Sequence, residues 1–171
     1  MLFRSRDAYL QLLPRANNRI LFDILHPQVP RAYFAGISRA IHAARVYGDV
    51  LVFNLLVIDN PDLVAEFADL FLRTEGIVVV LGMGCYPPRE ILSFRTRLHN
   101  LHAGDIMRAV VADLGTAGGH GLMAGGQIDG MNGDWAAQRE LEQTLVKRLL
   151  TVLGRPHQKG KRLVSSPGPG D

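Results

Sequence analysis

The sequence predicts an α/β fold: a mixed β-sheet flanked by helices and preceded by a helical connector. Short, almost wholly apolar runs are typical of strands buried on both faces, and apolar residues recurring every three or four positions are typical of helices. From residue 50 onward these patterns give the order strand, helix, strand, strand, helix, strand, helix. That alternation predicts an α/β layer with a mixed sheet, although it leaves the order of the strands within the sheet open.

Residues 1–48 form the predicted helical connector. Prolines interrupt its helices, and Gly48 follows the last of them, as expected where a helix ends. The predicted helices of the connector are Arg6–Leu13, Asn17–Leu25 and Arg31–Tyr47.

Residues 49–154 form the predicted main domain. The tripeptide Asn60–Asp62 combines a capping side chain, a proline at the first helical position and an acid in the first turn, so a helix is predicted to start there. The predicted strands are Val50–Ile58, Ile77–Leu81, Glu90–Thr96 and Met123–Ile128. The predicted helices run from Asp62 to about Thr74, over Ala103–Leu114 and over Asp134–Leu153. A turn at Cys85–Pro88 and a glycine-rich loop after Gly115 complete the domain.

The positive charge lies at the C-terminus. The net charge is +3, and the segment Arg155–Asp171 carries four basic residues against one acidic residue, so the rest of the chain sums to zero. This segment is rich in glycine, proline and serine, and we expect residues 155–171 to be a disordered basic tail. Such a tail either only solubilises the chain or touches a polyanion weakly, at a strength that salt removes.

Composition excludes several classes of protein. With 47% hydrophobic and 20% charged residues, the bulk of the chain is neither disordered nor fibrous. The single cysteine, Cys85, excludes an internal disulfide and a four-cysteine zinc site, and it is typical of a reducing compartment. The apolar runs fall far short of the roughly 20 residues that span a bilayer, and the N-terminus lacks the continuous apolar stretch of a signal peptide. We therefore expect a cytoplasmic protein with no membrane partner.

The stretch Gly115–Gly126 gathers glycines around His120. Glycine lets backbone N–H groups approach an anion closely, and a histidine can donate a hydrogen bond to a phosphoryl oxygen. Thr116, Gly118, Gly119 and His120 are therefore candidate phosphate-binding residues. The alternative is a tight loop whose histidine is satisfied by the backbone.

Two arginines stand at alternate positions near the end of a predicted strand. On a strand, Ser93, Arg95 and Arg97 share one face, and Phe94 and Thr96 share the other. A guanidinium group suits two-point binding of a phosphate, so Ser93 and the two arginines are candidates for binding an anion. The alternative is an edge strand with a solvated face.

The next predicted helix begins with two histidines. Its start at His99–Asp105 could face the same anion. His99 and His102 have a spacing suited to a metal, but no third ligand lies nearby in the sequence, so we assign no metal site. The GxGxxA match at Gly119–Ala124 lacks the required strand before it and helix after it, and no GxxxxGK motif occurs. No serine or cysteine nucleophile has a readable base, so we assign no catalytic residue.

The stretches SFRT, HAGDIMR and LGTAGGHGLMAGG, in this order, resemble the DHH phosphoesterase superfamily. More narrowly, residues 30–130 resemble the C-terminal, DHH-associated substrate-binding domain of the oligoribonuclease and exopolyphosphatase-like branch. The stretches AYFAGISRAI and YGDVLVFNLLVIDNPDLVAEFADLFLRTEG fit the same domain. One departure is Ala117, which interrupts the glycine run that the family often has before the histidine.

The resemblance implies the substrate-binding half of a two-domain phosphodiesterase. In the family, the N-terminal domain holds a two-manganese centre that includes an Asp-His-His signature, and the C-terminal domain grips the far end of the substrate. By this resemblance, Arg95 and His120 hold a phosphate or a nucleotide, and Gly118 and Gly119 supply backbone contacts. The sequence contains no Asp-His-His and no Asp-x-Asp. We therefore expect no cofactor in this chain, manganese in a separate catalytic domain, and no hydrolysis by the chain alone.

The identity of the ligand and of the partner remains open at this level. The ligand is an oligonucleotide, a bisphosphate nucleotide or polyphosphate. The chain either serves a DHH catalytic domain, or binds nucleotide or single-stranded nucleic acid by itself, or is a truncated, inactive remnant. Lost contacts with a missing domain would leave the first helices exposed, which makes a homo-oligomer a further possible partner arrangement.

Overall fold

The structure, a computed structural model, describes residues 17–26 and 28–164. The chain divides into two compact units, residues 1–33 and residues 34–171. Within the described residues, helices combine with a seven-stranded mixed sheet, which confirms the predicted α/β fold. Across the same residues, no helix combines the length and apolar character needed to cross a membrane.

The first unit contains helix α1 (Asn18–Leu25) in its described part. Asn17 caps this helix, because its Oδ1 accepts hydrogen bonds from the backbone N–H groups of Arg19 and Ile20 at 3.0 and 3.2 Å. The predicted helix at Arg6–Leu13 lies outside the described residues.

The second unit is built on the sheet. Its helices are α2 (Arg31–Ala43, which begins in the first unit), α3 (Asp62–Phe71), α4 (Ala103–Val110) and α5 (Trp135–Val152). Its strands are β1 (Arg45–Tyr47), β2 (Val50–Val57), β3 (Val79–Tyr86), β4 (Arg89–Thr96), β5 (Thr116–His120), β6 (Met123–Asp129) and β7 (Lys161–Arg162). The strand order is β5-β6-β4-β3-β2-β1-β7. Only β2 and β3 pair in parallel among these strands, and the helix α3 connects them.

One face of the sheet packs against α4 and α5 and forms the main apolar core. Apolar side chains of β2, β3, β4 and β6 meet those of the two helices there, among them Val52, Leu81, Phe94, Met107, Leu145 and Leu149. Each fully buried leucine or phenylalanine contributes about 1.5–3 kcal/mol. This core therefore stabilises the sheet, so the opposite face need not be fully covered by helices.

Helix α3 covers only part of the opposite face. Its predicted inward stripe is buried, namely Val64, Phe67, Ala68 and Phe71. A Cβ at Gly82 of β3 would collide with the ring of Phe53, so only glycine lets these strands pack under the helix. Over β6 and β5 this face is open, and Gly118, His120, Met123 and Gly125 are exposed there.

Strand β1 corrects the predicted connector. The helix expected to reach Tyr47 ends at Ala43, and Arg45–Tyr47 pairs with β2 instead. Tyr47 pairs with Val50, so Gly48 and Asp49 form a two-residue hairpin loop with φ +68° at Gly48. A glycine with positive φ occurs both at helix ends and in tight hairpins. The sequence pattern at Gly48 therefore could not distinguish a helix end from a hairpin.

The glycine-rich stretch is a strand rather than a loop. Thr116–His120 forms β5 and pairs with β6 through a two-residue turn at Gly121–Leu122. A Cβ at Gly104 of α4 would lie 2.8 Å from the carbonyl oxygen of Gly119, so α4 packs directly on the backbone of this strand. Glycine occurs at Gly104 and Gly119 because the helix and the strand approach each other closely there, and not because a loop needs its conformational freedom.

The prediction of a disordered tail is wrong for residues 155–164, the part of that segment that the structure describes. Lys161–Arg162 forms β7, which pairs with β1 at the edge of the sheet. Arg155 donates a hydrogen bond from Nη2 to Oδ2 of Asp49 at 2.8 Å. Residues 155–164 are therefore folded onto the domain, and the remaining tail residues lie outside the described ranges.

Other element ends differ by a few residues. Helix α3 ends at Phe71 instead of Thr74, and α4 ends at Val110 instead of Leu114. Strand β3 starts later than predicted and includes Cys85 and Tyr86, so the turn before β4 consists of the Pro87–Pro88 pair alone.

Candidate functional site: a cleft beside the open sheet face

A cleft of about 400 Å³, here called the Arg95 cleft, lies where α3 borders the open sheet face. Arg95 of β4 and His120 of β5 both line it. The strand register explains this, because Arg95 pairs with Met123 and Met123 pairs with His120, so their side chains share one face. Two strand spacings separate the two backbones, about 10 Å. A phosphate-bearing ligand can span that distance.

The floor of the cleft is a row of small residues. Gly118 pairs with Gly125, and Gly125 pairs with Ser93 of β4. A Cβ at Gly118 would meet nothing within 4 Å, so the space above it is open. The adjoining hollow, of about 470 Å³, continues along the same strands and is lined by Thr116. The sheet therefore offers an open surface, without large side chains above Gly118 and Gly125, that a ligand can approach closely.

Arg95 is held by four hydrogen bonds. Its Nε and Nη2 donate to Oδ1 and Oδ2 of Asp69 at 2.6 and 3.3 Å. Its Nη1 donates to Oγ of Ser93 at 2.9 Å and to the carbonyl oxygen of Phe94 at 3.1 Å. A guanidinium group has five N–H donors, so one donor of Arg95 is left for a ligand. The hydroxyl proton of Ser93 is also left, because its oxygen serves as the acceptor.

Helix α3 supplies the second wall of the cleft. Asp62 and Ala65 line it, and Asp69 follows on the same helical stripe and pairs with Arg95. Two carboxylates thus stand beside the predicted cationic residues. The cleft is more nearly neutral than the sequence suggested, and Arg95 acts as a fixed, partly compensated cation.

The start of α4 does not face this cleft. None of the residues 99–105 lines it, and Ala103 and Met107 belong to the core on the opposite face of the sheet. The helix start that borders the cleft is that of α3, at Pro61 and Asp62. The expectation that the predicted helix at His99–Asp105 meets the anion is therefore wrong.

The structure brings most predicted site residues together. Ser93, Arg95, Gly118, Gly119 and His120 line the Arg95 cleft, and Thr116 lies in the adjoining hollow. Arg97 is the exception: β4 ends at Thr96, and Arg97 is exposed and lines neither space.

Two acids of α3, Asp62 and Asp69, were not among the predicted site residues. Their three- and four-residue spacing with Ala65 was a visible signal, but nothing in the sequence indicated that this stripe would meet β4. Asp62 and Asp69 enter the site through the packing of a helix on a sheet.

No metal-ligand set accompanies the cleft. Among residues 17–26 and 28–164, no three histidine, cysteine, aspartate or glutamate side chains lie close enough to hold a metal ion together. A two-metal centre needs several such ligands. The described residues therefore do not fit the manganese centre that the family resemblance implies for a catalytic domain.

Comparison with solved structures identifies the fold. An exopolyphosphatase-related protein from Bacteroides fragilis superimposes with a TM-score of 0.58 at 13% identity, covering 83% of this chain and 42% of that one. The C-Ala domain of alanyl-tRNA synthetase from Aquifex aeolicus superimposes with a TM-score of 0.44 at 20% identity, covering 60% of this chain and 96% of that domain. The DHH domain of a member of the s1p family of ribosomal proteins superimposes with a TM-score of 0.49 at 16% identity, covering 81% of this chain and 34% of that one.

The first of these superpositions shows that the chain has the fold of part of an exopolyphosphatase-related protein, which agrees with the resemblance drawn from the sequence. The chain spans less than half of the exopolyphosphatase-related protein. No family model matches the sequence, and no curated protein matches it either.

Proposed function

We propose that this chain is a DHH-associated domain and that it binds a phosphate group of a nucleotide or of a short single-stranded nucleic acid. In this proposal it presents that ligand to a manganese-dependent DHH hydrolytic domain. The observation that carries the proposal is that Arg95 and His120, distant in sequence, line one cleft. The fold shared with an exopolyphosphatase-related protein supports the same class of ligand.

The donors around the cleft suit a phosphate. Arg95 contributes its remaining N–H, Ser93 contributes its hydroxyl, and the exposed ring of His120 contributes an N–H. Among the described strands β5 lies at one edge of the sheet, so alternate backbone N–H groups near Gly118 and Gly119 bond to no neighbouring strand there. Hydrogen bonds to a charged acceptor contribute about 1.5–3 kcal/mol each. Three or four such donors account for specific phosphate binding without a dense positive charge.

Binding by these residues does not supply a nucleophile. Hydrolysis of a phosphodiester needs an activated hydroxide and stabilisation of the leaving oxygen, which manganese provides when it is bound by a catalytic domain. The role of this chain is to hold and orient the ligand. The hydrolytic groups then come from a domain that carries the metal ligands.

The test separates binding from hydrolysis. The chain is incubated with Mn²⁺ and either adenosine 3′,5′-bisphosphate or a short oligonucleotide, and products are followed by chromatography while binding is measured by calorimetry. We expect saturable binding with no product. Turnover by the chain, or no binding of either compound, would contradict the proposal. An upstream reading frame encoding Asp-His-His and further aspartates would favour the two-domain arrangement over an autonomous binder.

A further inference from the structure

A second cleft lies at the end of strand β2. Two adjoining hollows of about 230 and 520 Å³ share five lining residues. The shared residues are His42, Ala43, Asn54, Leu56 and Trp135. We call the two hollows together the Trp135 cleft. None of their lining residues lines the Arg95 cleft, so the two sites can be tested separately.

The Trp135 cleft contains a buried amide that forms no hydrogen bond of normal geometry with the described residues. Gln138 lines the larger hollow and is 1% exposed. The amide lies near the Cys85 thiol, but neither Nε2 nor Oε1 has a partner at hydrogen-bond geometry in the described residues. Burying an amide in this way is unfavourable, and native proteins rarely leave both atoms unpaired. A ligand that offers one donor and one acceptor would satisfy the amide.

The charge around the Trp135 cleft is positive. Arg39, Arg45 and Arg139 line it, against one carboxylate among the described lining residues, that of Glu142. Glu142 is already engaged, because its Oε2 accepts from Nδ2 of Asn54 at 3.2 Å and from Nη1 of Arg139 at 3.3 Å. Nη1 of Arg45 is buried with no partner in the described part of the chain. An anionic group on the ligand fits this arrangement.

Trp135 adds an aromatic surface to the cleft. Its side chain is 62% exposed at the start of α5, and the guanidinium carbon of Arg139 lies 5.4 Å from the ring centroid. Leu55 and Val57 of β2 line the same larger hollow. An exposed tryptophan beside arginines is the combination on which nucleic-acid bases stack.

The backbone of β2 is specialised at this point. Leu56 has φ +59°, a conformation that a leucine rarely adopts, and the register of β2 with β3 shifts between Asn54 and Val57. Oδ1 of Asn54 accepts a hydrogen bond from the N–H of Leu56 at 2.8 Å. Unfavourable backbone conformations of this kind concentrate at ligand-binding sites.

We propose that the Trp135 cleft binds one nucleotide unit, free or within a single strand. The base stacks beside Trp135 and its edge pairs with the amide of Gln138, while the phosphate faces Arg45. A glutamine amide can satisfy a donor and an acceptor on one base edge at the same time. The proposal does not depend on the Arg95 cleft, and either site can fail without the other.

The protein itself carries the probe for this test, since Trp135 is its single tryptophan. Adenosine monophosphate and a short single-stranded oligonucleotide are titrated while tryptophan fluorescence is recorded, with inorganic phosphate and adenosine as half-ligands. Gln138→Leu removes the amide and keeps the side chain's size. Gln143→Leu, at an exposed position of the same helix, is the matched control. Arg45→Met removes the charge and keeps the apolar stem.

We expect saturable quenching by adenosine monophosphate or the oligonucleotide and much weaker responses to both half-ligands. Gln138→Leu and Arg45→Met should weaken binding about tenfold or more, while Gln143→Leu leaves it unchanged. Gln138→Leu should not lower the unfolding temperature, because it removes an unpaired buried amide. No saturable quenching, equal affinity for inorganic phosphate, unchanged affinity in Gln138→Leu, or weakened affinity in Gln143→Leu would each overturn the proposal.

Discussion

Arg95 and Asp69 form a two-point ion pair at the Arg95 cleft, with Nε–Oδ1 at 2.6 Å and Nη2–Oδ2 at 3.3 Å. The arginine side chain is 13% exposed and the aspartate side chain 55% exposed. The pair fixes the guanidinium against the sheet and offsets its charge. Any phosphate that reaches the cleft therefore meets both a positioned donor and a nearby carboxylate.

Asp69→Asn should strengthen binding of adenosine monophosphate. The amide oxygen of asparagine still accepts a hydrogen bond from Arg95, but the charge that repels a phosphate is gone. At low salt, one unit charge a few ångströms away changes the affinity by about threefold to tenfold, and salt reduces the gain. Calorimetric titration at two salt concentrations measures the effect.

The control for this change is Asp129→Asn, which breaks a surface ion pair with Arg89 away from the cleft. The affinity of Asp129→Asn for adenosine monophosphate should equal that of the wild type. If Asp69→Asn binds more weakly than the wild type, the carboxylate is needed to position Arg95 and the charge argument is wrong.

Substitution of Gly118 should weaken nucleotide binding without lowering stability, whereas substitution of Gly119 should lower stability. A side chain at Gly118 has open space within 4 Å, so Gly118→Val should fold normally and fill the cleft, weakening nucleotide binding about tenfold or more. A Cβ at Gly119 would collide with Ala124 and with the carbonyl oxygen of Met123. Gly119→Ala should therefore lower the free energy of unfolding by about 1–3 kcal/mol.

Urea denaturation and calorimetry on the two glycine variants separate these effects. A destabilised Gly118→Val protein, or a Gly119→Ala protein as stable as the wild type, would show that β5 does not pack as described.

Glu90 makes the stability of the domain dependent on pH. It is 1% exposed, and its Oε2 has no partner in the described part of the chain. Burial, and to a smaller extent the carboxylate of Glu142, raises the pKa of Glu90 from an ordinary 4.5 to about 8. Between these two values the folded protein binds more protons than the unfolded chain. The contribution of Glu90 to stability is therefore largest below pH 4.5 and is lost as the pH rises through 8.

Glu90→Gln should remove this pH dependence. The variant should be more stable than the wild type at about pH 9 by a few kcal/mol, and the difference should nearly vanish at about pH 4. Urea denaturation across this range measures it, with Glu140→Gln at an exposed position of α5 as the control. A wild type that loses no more stability than Glu90→Gln across the same range would show that Glu90 titrates normally.

The buried parts of the fold were predictable from the sequence. The apolar runs that became β2 and β3 cannot be placed except between two packed layers. The sequence could not reveal β5, because glycine has low strand propensity and Thr116–His120 is held in place by pairing with β6 and by contact with α4. Arg45–Tyr47 was missed for a related reason: its strand exists because Gly48 turns the chain back along Val50–Val52.

The site was predictable in its residue types and only partly in its geometry. Ser93 and Arg95 could be placed on one face because alternation along a strand is regular. Arg97 was misplaced because that regularity holds only as far as the strand, which ends at Thr96. Asp69 was missed because its contact with Arg95 is made by tertiary packing, which no local pattern encodes.

Nuclear magnetic resonance titration of the labelled protein with adenosine monophosphate shows directly whether a nucleotide binds in the Arg95 cleft. The backbone amide signals of Gly118, Gly119 and His120 report on the Arg95 cleft alone. We expect these signals to shift saturably in the wild type and in Arg97→Ala, and we expect Arg95→Ala and His120→Ala each to weaken the apparent affinity about tenfold while remaining folded. Signals that do not move, or affinities unchanged in both Arg95→Ala and His120→Ala, would contradict nucleotide binding in this cleft.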